Sequence, residues 1–184
     1  AWDVLPALLA RLGIGRPALV GHSDGATIAL LHASRHPVSA CVAMAPHVFV
    51  EDVSIRAIEQ ARQAWLSAPD APRSLRQRLA LHHDDVDNAF WQWNDVWLSE
   101  AFRSFNIEQA CAGITAPLMV VQGEDDEYGT MAQVQAIERK VAHARVLAVP
   151  ACGHSPHRDA TAAVTEALRH FFTEIAPTSG NSLS

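Results

Sequence analysis

The sequence predicts an α/β protein built on a mostly parallel sheet flanked by helices, and three observations carry that reading. Short apolar strands alternate with helical stretches in both the first and the last third of the chain. Between these stretches lies a long segment, 48–113, that is helical and strand-free. Small, reactive or titratable residues sit directly after three of the predicted strands. At 184 residues, 49% hydrophobic and 18% charged, the chain is long enough to bury a substantial core.

Val4, Leu5, Leu8, Leu9 and Leu12 recur at helical spacing, and Gly13 and Gly15 end the pattern. The apolar run Ala18-Leu19-Val20 is a strand that leads directly into Gly21-His22-Ser23-Asp24-Gly25. A helix is expected from about 26 to 35, stopping before Pro37 because proline cannot continue it. Ala26, Ala29 and Ala33 place small side chains on one face, which lets that helix sit close to a sheet. Residues 38–44 read as a second buried strand, which completes a strand–helix–strand unit of the kind that builds parallel sheets.

In the segment that follows, Asp52 and Ser74 are the expected helix N-caps. Its second half is rich in aromatics: Phe90, Trp91, Trp93, Trp97, Phe102 and Phe105. A helical insertion between two α/β halves is expected to cap a site. The alternation resumes with a strand from Pro117 through Val121, a loop opened by Gly123, a helix at 130–142, a strand at 146–149, a loop at 150–158 and a last helix to about 175. The expected organisation is an α/β body at 1–47 and 114–176, a helical cap at 48–113 and a disordered Ser-, Gly- and Pro-rich tail at 177–184.

Composition removes several function classes. A formal net charge of −6 gives no electrostatic footprint for nucleic acid or an anionic membrane surface. No apolar run approaches the roughly 20 residues that span a bilayer, and no secretory pattern opens the sequence. Cys41, Cys111 and Cys152 are odd in number and far apart, which suggests neither a disulfide framework nor a zinc site. They read as small buried hydrophobes in a reducing compartment, so a cytoplasmic location is expected. The chain begins at Ala1 within a helical pattern, so it is expected to be a piece of something longer.

Gly21-His22-Ser23-Asp24-Gly25 is a G-x-S-x-G pentapeptide between a strand and a helix. A sharp strand-to-helix turn strains the serine and crowds neighbouring backbone, so the positions two before and two after it are expected to need small residues. The turn lifts the hydroxyl above the sheet at the positive end of the following helix. A serine hydroxyl is a weak nucleophile and needs a base that is itself oriented by an acid. Gly123-Glu124-Asp125-Asp126 follows one later strand, and Ala151-Cys152-Gly153-His154 follows the next.

From Trp2 to Phe172 the chain resembles the α/β-hydrolase superfamily, whose members carry Ser, Asp and His in that chain order. It is most similar to the ester hydrolases that include biphenyl-hydrolase-like and valacyclovir-hydrolase-like proteins, which also carry a G-x-S-D-G elbow. The resemblance implies Ser23 as nucleophile, His154 as base and Asp126 as acid, with Asp125 the alternative acid and His157 a weaker competitor for the base. It implies hydrolysis of a small-molecule carboxylic ester through an acyl-enzyme, with no cofactor. A carbon–carbon bond hydrolase of the ring-cleavage type, which uses the same triad, is the alternative, and a non-catalytic hydrolase-like fragment is the rival from another class.

The chain also departs from the family. Members have further strands before the elbow, and their first oxyanion donor comes from a loop after an early strand, often marked by His-Gly. Only 22 residues precede Ser23 and none forms that loop, so the expectation is a body missing its N-terminal strands. The backbone N–H of Asp24 is then the one remaining oxyanion donor, and losing a donor costs about 10²–10³ in turnover. The elbow strand is expected as an exposed apolar edge. Asp24 is also a candidate for attracting a cationic substrate group, and Trp91 and Trp97 are candidates for lining a hydrophobic substrate pocket. His82-His83-Asp84-Asp85 with Asp87 has no diagnostic ligand spacing, so it is expected to be a solvated helix junction and no metal is expected.

Overall fold

The computed structural model describes residues 1–176 apart from 68 and 70, and the tail expected at 177–184 lies outside the described residues. The first third runs α1 (Val4–Arg11), β1 (Ala18–His22), α2 (Asp24–Ala33) and β2 (Ala40–Met44). The middle contains α3 (Asp52–Ser67), α4 (Leu75–Leu79), α5 (Val86–Leu98), a 3-10 turn (Ala101–Ser104) and α6 (Glu108–Cys111). The last third runs β3 (Leu118–Gly123), α7 (Met131–Lys140), β4 (Arg145–Val149), α8 (Pro156–Asp159) and α9 (Thr161–Ile175). The four strands form one parallel sheet in the order β1-β2-β3-β4.

Strand residues alternate between two helical layers, as a period of two requires. Cys41, Ala43, Leu118 and Val120 face α2 and α7, where they meet Leu30, Val134 and Ile137. Ala40, Val42, Met119 and Val121 face α9 and pack on Val164 and Phe171. Because both faces are covered, the central strands read in sequence as continuous apolar runs without alternation. Ala26, Ala29 and Ala33 are buried as expected of the small face of α2. α1 behaves differently: Val4, Leu8 and Leu12 are exposed, so only part of its apolar pattern is buried. The edge strand β1 pairs on one side only, and its Val20 is 52% exposed.

Local signals explain where the boundaries moved. α2 starts at Asp24 and not near 26, because Ser23 turns the chain within a single residue. Pro156 at a first helical position starts the short α8 inside the expected loop. Ser74 caps α4 by accepting from the Gln77 N–H at 3.2 Å, whereas Asp52 is the first residue of α3. Asp85 caps α5 by accepting from the Asn88 N–H at 3.0 Å, a cap not anticipated from the sequence.

The segment 48–113 leaves and rejoins the body at one neck. Phe49 and Asn106 form an antiparallel bridge, and the Ile107 N–H donates to the Val48 carbonyl at 2.7 Å. The buried Gln133 of α7 accepts from the Val48 N–H at 2.7 Å and donates to the Phe49 carbonyl at 3.0 Å. Within the segment, Trp65 stacks on Phe90 with ring centroids 3.9 Å apart. Among the described residues no helix is long and apolar enough to cross a membrane.

The two elbow glycines are not equivalent, which corrects the expectation that both must be small. A Cβ at Gly21 would lie 2.2 Å from the Gly25 carbonyl oxygen, whereas one at Gly25 would meet nothing within 4 Å. Gly21→Ala is expected to destabilise by about 1–3 kcal/mol through overpacking. Gly25→Ala is expected to be neutral or stabilising by up to about 1 kcal/mol. Urea unfolding of both variants checks this, and equal losses would contradict the asymmetry.

Candidate active site

Each of the four parallel strands delivers one ring or reactive group to the C-terminal edge of the sheet. Ser23 follows β1, His47 follows β2, Asp126 follows β3 and His154 follows β4. Ser23 has φ 56° and ψ −125°, a conformation that costs a non-glycine residue about 1–3 kcal/mol. Its N–H donates to the Met44 carbonyl at 2.9 Å, and its carbonyl accepts from the Ala26 and Thr27 N–H groups. The next residue, Asp24, opens α2, so its N–H is one of the four donors that a helix start leaves without an intrahelical partner.

His154 lies between a serine and a carboxylate. Its Nε2 is 2.9 Å from Ser23 Oγ, and its Nδ1 is 3.0 and 2.9 Å from the two oxygens of Asp126. An ionised carboxylate only accepts, so Nδ1 carries the proton and Nε2 is left to accept from the serine hydroxyl. Asp126 is held in turn: Oδ1 accepts from the Tyr128 and Gly129 N–H groups at 2.8 and 3.3 Å, and Oδ2 accepts from the Gln122 amide at 2.7 Å. Burial pushes the Asp126 carboxyl up, but the hydrogen bond and charge of His154 and the Tyr128 N–H outweigh it and leave the pKa below its ordinary value. Asp125 is exposed and turns away, its N–H bonded to the Cys152 carbonyl at 3.0 Å.

The β3 and β4 turns touch because Gly123 has no side chain. A Cβ there would lie 2.3 Å from both the Cys152 and Gly153 carbonyl oxygens. Ala151, at φ 51°, reverses the chain after β4 and helps bring His154 back over the sheet.

Several residues at the site carried no motif. His22, inside the pentapeptide, donates from Nε2 to the His154 carbonyl at 2.7 Å. Burial draws its pKa below the ordinary value. His157 packs edge-on to His22 at 4.6 Å and reaches neither Ser23 nor Asp126 by a hydrogen bond. His47 is buried, its Nδ1 has no partner, and its ring packs edge-on to Trp97 at 4.8 Å. Burial, reinforced by His154, lowers its pKa to about 4, so it is neutral at physiological pH. The signal that could have found it is position: His47 lies three residues past its strand, as Asp126 does.

A cleft of about 410 Å³ opens over Ser23 and His154, walled by Ile58, Leu79, Trp93, Trp97 and Tyr128. Two of the residues named as substrate-binding candidates, Asp24 and Trp91, are not part of this wall. Asp24 accepts from Trp97 Nε1 at 3.3 Å, so its carboxylate secures the indole that borders the cleft. Burial raises the Asp24 pKa, and the Trp97 hydrogen bond opposes that rise. Trp91 packs against Phe90 and Trp65 inside the helical segment. The reason is helical phase: Trp93 and Trp97 are four apart and share a face, while Trp91 points elsewhere. A larger polar groove of about 650 Å³ runs along α3 past Arg56, Glu59 and Arg62, and none of the residues named above borders it.

The acidic and histidine run in the segment is a helix junction. Asp85 caps α5, and Asp87 makes a bidentate pair with Arg76 at 2.7 and 2.6 Å. All three cysteines are buried free thiols, and burial raises Cys41 to about 12 and Cys111 to about 11.

Residues 3–167 match the profile of the alpha/beta hydrolase family. The chain belongs to that family. No curated protein matches its sequence. Among solved structures, this hydrolase-family chain is similar to carboxylesterases of Nitrososphaera gargenis, with TM-score 0.68 and 17% identity over 94% of this chain and 70% of that one. It is also similar to the enol-lactonase from Burkholderia xenovorans LB400, with TM-score 0.64 and 21% identity over 93% and 70%. A third is E-2-(acetamidomethylene)succinate hydrolase, with TM-score 0.68 and 19% identity over 93% and 72%. At these identities the likenesses speak to the fold alone.

The neutral His47 makes the hydrolase fold acid-sensitive. Its folded pKa of about 4 lies below the ordinary 6.5, so the unfolded chain binds the extra proton between those values. Stability is therefore lost as pH falls through that window, by up to about 3 kcal/mol. The urea midpoint is expected to drop between pH 6.5 and 4.5, and less steeply in His47→Gln, with the lowered His22 retaining part of the slope. Identical slopes would show that His47 is not held neutral.

Proposed function

We propose that this chain is a serine hydrolase that cleaves a small-molecule carboxylic ester through an acyl-enzyme. The observation that supports the reading is the continuous hydrogen-bond relay from Asp126 through His154 to Ser23 at the floor of an apolar-walled cleft. Ser23 Oγ attacks the ester carbonyl while His154 Nε2 takes its proton. The negative charge that develops on the carbonyl oxygen falls near the Asp24 N–H and the positive end of α2. As the tetrahedral carbon collapses, the imidazolium returns the proton to the departing alkoxide. Water then repeats the sequence on the acyl-enzyme, releasing the acid and restoring Ser23. Asp126 keeps the proton on Nδ1 throughout and stabilises the imidazolium without itself becoming protonated.

Every proton in this sequence is carried by Ser23, His154, the substrate or water, so the reaction as written calls for no cofactor. Two of the solved relatives are named for ester or lactone chemistry, and a lactone is a cyclic ester. Those names favour acyl–oxygen cleavage over carbon–carbon cleavage.

A fluorophosphonate probe and p-nitrophenyl acetate turnover test the reading together. The parent chain is expected to label and to turn over. Ser23→Ala is expected to lose labelling and at least about 10³-fold in rate, and Asp126→Asn to lose about 10²–10⁴-fold. A folded parent that neither labels nor turns over would make the chain a non-catalytic hydrolase-like protein, and labelling that survives Ser23→Ala would move the nucleophile elsewhere.

A further inference from the structure

The cleft over Ser23 is not the whole of the apolar space beneath the helical segment. A second cavity of about 240 Å³ lies between α3, α4 and α5, and its inner end is formed by Ala61, Ala89 and Phe90. It shares Leu75, Leu79, Trp93 and Tyr128 with the cleft.

Two helices run from one space to the other. On α5, Ala89, Trp93 and Trp97 are spaced by four and form one stripe: Ala89 borders the second cavity, Trp93 both, and Trp97 the cleft. At 1.5 Å per residue this stripe is about 12 Å long. On α3, Ile58 borders the cleft and Ala61, one turn on, the second cavity. The stripe narrows to alanine on both helices at the end away from Ser23, which leaves the space that larger residues would fill. Among the described residues no charged side chain borders the second cavity, and its polar side-chain groups belong to Tyr128 and Trp93.

We propose that the two cavities form one bent site that takes an ester bearing an unbranched apolar chain, with the ester group at Ser23 and the chain end against Ala61 and Ala89. This rests on the ester-hydrolase reading above and adds the substrate class. A volume of about 240 Å³ holds roughly eight water-sized groups at ~30 Å³ each, which bounds the chain at about eight carbons. A charged group has no counter-ion among the lining residues. Tyr128 is fixed at the junction: its N–H donates to Asp126 and its carbonyl accepts from Ser54 Oγ. The ring packs on His154 with centroids 4.7 Å apart, so the chain turns past the base on its way to the second cavity.

Calorimetric titration of the Ser23→Ala chain separates this proposal from the catalytic one, because binding is then read without turnover. Ethyl acetate is compared with ethyl hexanoate, which lengthens the acyl half, and with hexyl acetate, which lengthens the alcohol half. A buried methylene strengthens binding about fourfold, so at least one of the long esters is expected to bind more than tenfold tighter than ethyl acetate, and the tighter arm names the half that carries the chain. Ala61→Leu and Ala89→Leu, which fill the inner end from opposite helices, are each expected to bring that ratio to within about threefold of one. Equal binding of all three esters would overturn the proposal. So would a long-chain preference that survives either leucine variant with its far-ultraviolet dichroism intact. Absent ester turnover in the parent chain would count against the hydrolase reading and leave this binding series to be judged separately.

Discussion

The arrangement at the sheet edge depends on how closely the turn after β3 approaches the turn after β4. At Gly123 the approach leaves no room for a methyl group, since a Cβ would sit 2.3 Å from two carbonyl oxygens of the β4 turn. That contact lets the Glu124 and Asp125 N–H groups bond to Val149 and Cys152. Asp126 is thereby carried inward under His154. Parallel pairing supplies the rest: with all strands in one direction, their C-terminal ends lie side by side, and groups after each of them converge on one place. Buried Gln122 extends the support, since its amide donates to both Asp126 and the Gly129 carbonyl and fixes the loop on which the acid rides.

The helical segment contributes the walls and is tied to the same centre. Trp97 reaches Asp24, the residue beside the serine, and packs on His47, while Ser54 binds the Tyr128 carbonyl. At the neck, Gln133 satisfies Val48 and Phe49 backbone groups that would otherwise be buried without partners. The cleft is therefore framed by contacts that run directly to the loops carrying Ser23 and Asp126. A rearrangement of the segment would be felt at the hydrogen bonds of those loops.

Much of this was legible from residue order alone. The parallel α/β body showed in the strand–helix rhythm, and Ser23, His154 and an acidic loop after Gly123 showed through glycine-marked turns after strands. Asp126 could not be separated from Asp125 by composition or spacing, because the difference between them is one residue of loop geometry: one is buried against Gln122 and the other exposed. His22, His47 and Gln122 were invisible for a related reason. The roles of the two histidines arise from partners distant in sequence, such as the His154 carbonyl 132 residues on from His22, and that of Gln122 from a loop that folds back over its own strand. Trp91 and Trp93 differ in phase by two residues on one helix, and a rich aromatic composition hid which of them faces the cleft. The partly uncovered α1 and β1 show the limit of periodicity, which identifies an apolar helical face without stating what covers it.

The relay depends on Asp126 holding the Nδ1 proton of His154. Proton NMR of the imidazole N–H groups observes that proton directly. A resonance well downfield of the amide envelope is expected, lost in Asp126→Asn and kept in Asp125→Asn. A resonance that survives Asp126→Asn, or that disappears in Asp125→Asn, would contradict it.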